Sequence, residues 1–141
     1  MTQYVFNKLL EGELLMESGI PGLLYKLALL VVIAGHFFFA YSQWFKWPKL
    51  CEKLTNLNSD EIESTRFLGR SIASYNFSIG IGLLLSLFIS KSAAVQGVVL
   101  ALIAVTAIVG SMGTKGRSIL LMRFLPAVIS LALLLAVSFS N

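Results

Sequence analysis

Residues 27–47 read LALLVVIAGHFFFAYSQWFKW. From Leu27 to Ser42 there is no formal charge when His36 is neutral. About 20 such residues in an α-helix cross the ~30 Å hydrocarbon core of a bilayer. We therefore predict a spanning helix from about Leu23 to Phe45. Trp44 and Trp47 fall at its end, where amphipathic rings favour the membrane–water interface, and Pro48 closes it. Two polar side chains, His36 and Gln43, interrupt the apolar run. Seven residues apart, they share one helical face. Lipid supplies no hydrogen-bond partners, so that face must turn inward and other helices must cover it.

Composition leads to the same solvent. The chain has 141 residues, 57% hydrophobic and 13% charged, against about 25% charged in a soluble domain. Its mean hydropathy is +0.83. A soluble domain this small could not bury so much apolar surface. The net charge of +4 is no sign of nucleic-acid binding, because the basic residues lie near the ends of apolar runs, where lipid headgroups hold them. The single cysteine, Cys51, excludes an internal disulfide and a multi-cysteine metal site.

Upstream, residues 1–18 do not read as a secretory signal, since Glu11, Glu13 and Glu17 break the apolar run. Their pattern is that of an amphipathic helix lying in the headgroup plane or packed on a partner, with Val5, Phe6, Leu9, Leu10 and Leu14 on one side. Gly19, Pro21 and Gly22 end it. Downstream, residues 48–66 are polar. Asn58 with Glu61 forms a capping-box pattern, which starts a helix expected to run through Arg66 and Arg70 into a second span, about 69–89. The SKSAA turn makes the third span, about 93–112, its antiparallel neighbour. The fourth covers about 119–139. The expected fold is thus all-α: residues 19–141 form a four-helix transmembrane bundle behind an N-terminal interfacial helix.

Lys and Arg near the span ends set the orientation. Lys46, Lys49, Lys53, Arg66, Arg70, Lys115, Arg117 and Arg123 lie at one side; Lys8, Lys26 and Lys91 lie at the other. The expectation is a multi-pass protein of the cell inner membrane, with loops 46–68 and 113–118 cytoplasmic and both termini outside.

Polar residues inside spans are the candidates for function. His36 lies about 15 Å from Lys46 along the helix, near the midplane. Gln43, Tyr75, Asn76, Thr114 and Arg123 fall in the cytoplasmic half and come from four helices. Pro126, four residues after Met122, leaves the Met122 carbonyl without its helical donor, a ready neighbour for Arg123. Facing inward, these groups make one polar pocket, with His36, Gln43, Tyr75, Asn76, Thr114 and Arg123 as ligand-binding candidates. The competing reading is structural: an intramembrane His, Asn or Gln serves as interhelical glue worth about 0.6–2 kcal/mol, and Arg70 and Arg123 snorkel to headgroups. Several chemistries drop out. One histidine cannot ligate haem in pairs or build a multi-histidine iron site. There is no Cys pair for thiol redox work, no acid inside a span for a carboxylate proton relay, and no phosphate-binding glycine loop. We expect no metal, no cofactor and no catalytic residue.

His36, Gln43 and Trp47, then Tyr75-Asn76 before Gly82-Leu83, then Thr114, then Leu120-Leu121-Met122-Arg123 with Leu125-Pro126-Ala127, together resemble domain-of-unknown-function family 1304, small four-helix membrane proteins, over about residues 27–138. The resemblance implies fold and membrane location but no established activity. Gln43 stands where the family pattern has Glu, Arg123 where it has Gln, and Ser71 where it has Asn. If the family does proton-coupled work through that acid, this chain does it differently or not at all.

The first expectation is therefore a non-enzymatic membrane protein binding a small or amphipathic ligand in the cytoplasmic half, an anion or lipid headgroup held by Arg123, Asn76 and Gln43. The second is a small transporter, with His36 as its titrating group. A lipid-modifying enzyme using His36 ranks last, for want of a second catalytic group. Expected partners are membrane lipids and a second copy of the chain or another membrane protein, because four short helices cover a polar centre poorly.

Overall fold

The structure is a computed structural model and describes residues 19–112 and 120–139. The amphipathic segment 1–18, Thr114 and the basic loop residues Lys115 and Arg117 lie outside the described residues. The described chain is all-helical: α1 (Gly19–Phe45), α2 (Trp47–Leu54), α3 (Ser59–Ser64), α4 (Arg66–Leu85), α5 (Ala93–Met112) and α6 (Leu125–Phe139). A π-helical turn, Ser86–Ser90, extends α4, and another, Leu120–Phe124, leads into α6. Counting these turns, four of the helices are long and apolar enough to cross a membrane.

Each boundary has a local cause. Gly19 takes a positive φ of 53°, which a glycine tolerates, and Pro21 fits the first helical turn. The first helix therefore starts four residues before Leu23. At the other end Lys46 leaves helical geometry and Pro48 opens α2, so the proline starts a new helix as well as stopping the old one. The capping box forms: Asn58 Oδ1 accepts from the Glu61 N–H at 3.0 Å, and Glu61 Oε2 accepts from the Asn58 N–H at 2.8 Å. The helix it starts does not run on into the second span. It breaks at Thr65, which bonds back to the Ile62 carbonyl through its hydroxyl at 2.9 Å and accepts the Trp47 indole N–H at 3.2 Å. The same indole lies against Gly69, where a β-carbon would overlap the ring. The polar connection is thereby folded against the start of α4. The π turn before α6 answers Pro126. At five-residue spacing the donor facing Met122 is Ala127 rather than the proline.

α1 is the central helix, packed mainly against α4 on one side and α6 on the other, while α5 packs on α6. The short connection brings α4 and α5 together near their turn rather than along their length. The core is Leu29, Val32 and Ile33 of α1, Leu83 of α4, Leu100, Ile103 and Ala104 of α5, and Ala127, Leu134 and Val137 of α6. Outward faces of all four long helices carry exposed Leu, Ile, Val and Phe. Water would oppose such a surface; a bilayer accepts it.

Candidate functional site

Most basic residues of the described chain, Lys46, Lys49, Lys53, Arg66, Arg70 and Arg123, gather at one end of the bundle, where α1 finishes and α4 begins; Lys26 and Lys91 lie at the other. Just inside that end, Gln43 of α1, Asn76 of α4 and Arg123 at the head of α6 meet in a chain of hydrogen bonds. The Asn76 side-chain NH₂ donates to Gln43 Oε1 at 2.6 Å, and the Arg123 guanidinium donates to Asn76 Oδ1 at 3.1 Å. Asn76 is 1% exposed. Its place on α4 follows from its neighbours Gly69, Ala73 and Gly80, whose small size lets α1 approach. An amide both donates and accepts, so Asn76 fixes a direction: position 43 must accept and position 123 must donate. Arg123 also lies over the Phe39 ring, 5.6 Å from its centroid, a cation–π contact that compensates part of its desolvation.

His36 lies seven residues deeper than Gln43 on α1 and is 2% exposed. Its Nδ1–H donates to the Val32 carbonyl at 2.9 Å. In the neutral ring that fixes Nε2 as an acceptor, and Nε2 meets no partner among the described residues. Arg123 is near enough for the two groups to interact electrostatically. The Arg123 Nε–H and the Ser130 hydroxyl are likewise buried without a partner among the described residues.

Of the residues singled out from sequence, the structure brings together Gln43, Asn76 and Arg123, with His36 beyond them. Tyr75 does not join them: it is 71% exposed. Adjacent residues on a helix point about 100° apart, so with Asn76 turned to the centre Tyr75 turns to lipid. Arg70 is exposed over Trp44, 6.0 Å from its ring centroid. Among the described residues no three His, Cys, Asp or Glu side chains group to hold a metal.

A second polar contact, at the opposite end, escaped the sequence. Tyr25 of α1 donates to Gln96 Oε1 of α5 at 2.6 Å, and the Gln96 side-chain NH₂ donates to the Ser86 carbonyl at 3.0 Å. All three residues are buried. Gln96, polar inside a span, was the available signal.

Two hollows open on the surface near the basic end. One, about 420 Å³, lies between α1 and α4 among Phe37, Tyr41, Trp44 and Phe77. The other, about 380 Å³, lies between α1, α2 and the π turn before α6; Phe38, Phe39 and Met122 line it together with Lys46, Lys49 and Lys53. Gln43, Asn76 and His36 line neither.

Apolar helices of spanning length, polar groups bonded to one another inside, and apolar side chains outside define a multi-pass membrane protein with a four-helix bundle. The family model for proteins of unknown function DUF1304 matches residues 30–135. The chain belongs to that family. No curated protein and no solved structure matches it.

Proposed function

We propose that the protein is a membrane-embedded binding protein that takes a small or amphipathic ligand in the basic half of its bundle, beside His36 and Arg123. The supporting observation is a complementary pair of buried groups: His36 Nε2 can only accept, the Arg123 Nε–H can only donate, and neither meets a partner among the described residues. A buried group left unbonded costs about 1–3 kcal/mol. A hydroxyl or a carboxylic acid on the ligand serves both, donating to the imidazole and accepting from the guanidinium. The Gln43–Asn76–Arg123 chain would hold Arg123 in place for this.

Binding is favoured over passage through the bundle. His36 and the Tyr25 contact are eleven residues apart on α1, about 16 Å. Leu29, Val32, Ile33, Leu83 and Leu100 fill the core there, all buried. We place the protein in the cell inner membrane with the 46–68 and 113–118 loops cytoplasmic and both termini outside, on eight Lys and Arg at one side against three at the other. A second copy of the chain is the proposed complement to the exposed helix faces.

Native mass spectrometry of the protein purified in mild detergent tests the binding. A retained organic mass in the wild type, absent from folded His36→Leu and Arg123→Leu variants, is the expected result. A bare polypeptide mass in the wild type, with His36→Leu as stable as the wild type, refutes the proposal. Flux of a retained compound into proteoliposomes would favour transport instead.

A further inference from the structure

The hollow between α1, α2 and the π turn before α6 combines two chemistries in a fixed order. Lys46, Lys49 and Lys53 fall three and four residues apart, so they form one stripe along the start and length of α2. Phe38, Phe39 and Met122 lie at the other side of the same hollow. Phe38 is eight residues back from Lys46 on α1, about 12 Å deeper towards the membrane interior. The hollow therefore has a cationic mouth at the bundle's basic end and an apolar base along the span. Among the described residues no acidic side chain lines it, so none of them sets a carboxylate within the hollow against the three ammonium groups. Lys46 does rest over the Tyr41 ring at 5.2 Å, a contact with an uncharged group.

A soluble anion would use the lysines and ignore the apolar base. A zwitterionic lipid would use the base but bring a cation to three cations. Both features are used by one occupant: an acidic phospholipid, its phosphate among the lysines and the upper part of one acyl chain against Phe38, Phe39 and Met122. The volume, about 380 Å³, falls within the range of pockets that take small ligands and suits a headgroup and the first part of one chain rather than a whole lipid. We propose that this hollow is a binding site for an acidic phospholipid. It is separate from the His36 and Arg123 groups: it shares with them only Phe39, whose ring Arg123 overlies.

Lysines beside an anionic headgroup each contribute about fivefold in affinity. Removing three should weaken binding on the order of a hundredfold. The test is native mass spectrometry of the full chain titrated with phosphatidylglycerol, phosphatidylcholine or glycerol 3-phosphate. The variants are Lys46→Gln/Lys49→Gln/Lys53→Gln and a control losing the same charge elsewhere, Lys26→Gln/Arg70→Gln/Lys91→Gln. Five of the six residues are exposed and Lys26 is partly buried, none lies in the core, so both variants should fold, which circular dichroism checks. The expected result is preferential retention of phosphatidylglycerol by the wild type and the control, and its loss from the lysine variant. Met122→Ser should weaken the lipid while leaving glycerol 3-phosphate unaffected. Equal retention by the lysine variant and the control overturns the proposal. So does equal binding of phosphatidylcholine, or glycerol 3-phosphate binding as tightly as the lipid.

Discussion

Replacing Asn76 with leucine tests whether the three-residue polar chain holds the bundle together. The substitution keeps a side chain of similar reach and removes both of its bonds, the 2.6 Å donation to Gln43 and the 3.1 Å acceptance from Arg123. The neutral interhelical bond is worth about 0.6–2 kcal/mol, and the charge-assisted bond about 1.5–3 kcal/mol. N76L should therefore destabilise the protein by about 2–5 kcal/mol, most of it from leaving the Arg123 guanidinium without its acceptor. The assay is reversible unfolding in mixed micelles, followed by circular dichroism as SDS is titrated. The double variant N76L/R123L separates lost attraction from a stranded charge. With the donor also gone, the double variant should be less destabilised than the two single variants summed, by about 1 kcal/mol or more. If N76L unfolds within about 0.5 kcal/mol of the wild type, or the cycle is additive, the polar chain does not hold the helices and the reasoning fails.

Further outcomes follow from other contacts. Gly69→Ala puts a β-carbon into the Trp47 ring; in a Trp44→Phe background it should shift Trp47 fluorescence and cost about 1–3 kcal/mol, whereas an unshifted spectrum would place Trp47 elsewhere. Tyr25→Phe removes the donor to Gln96 and should cost about 0.6–2 kcal/mol, with faster hydrogen exchange at the Ser86–Gln96 end. Tyr75→Trp, as the only tryptophan, should be quenched by brominated acyl chains, because position 75 faces lipid; no quenching would contradict its placement. The Arg66 hydrogen bond, 2.7 Å long, holds the exposed Glu63 carboxyl below the usual carboxylate range. Its small contribution is present above the ordinary carboxylate pKa and lost as pH falls through the lowered value. Side-chain NMR titration of Glu63 should show that shift, and Arg66→Gln should abolish it.

Much of the architecture is written in the chain itself. Four apolar stretches of bilayer length, such as residues 27–47 and 93–112, admit only helices in lipid, because every backbone group must be bonded within its own segment. Pro126 and the Asn58–Glu61 pair act within a turn of themselves, so a helix disturbance and a helix start could be located without knowing the neighbours. Gln43, Asn76 and Arg123 were legible as a layer because a polar group in lipid must find another at its own depth, and depth is a count along the sequence.

Rotation about each helix axis is a different matter. A soluble helix shows its inward face by its hydrophobic stripe, but a span that is apolar all round does not. Packing alone decided that Asn76 faces the centre and Tyr75 faces lipid, that Tyr25 and Gln96 meet across two helices, and that Trp47 lies on Gly69 and breaks the helix at Thr65. The lysine-rimmed hollow is likewise tertiary: Lys46, Lys49 and Lys53 are legible as a stripe, but Phe38 and Met122, 84 residues apart in the chain, share its base only because α2 folds back beside α1 and the π turn before α6 comes to meet them. Length and polarity are local properties that single residues carry; which surfaces touch depends on the whole set of helices fitting at once.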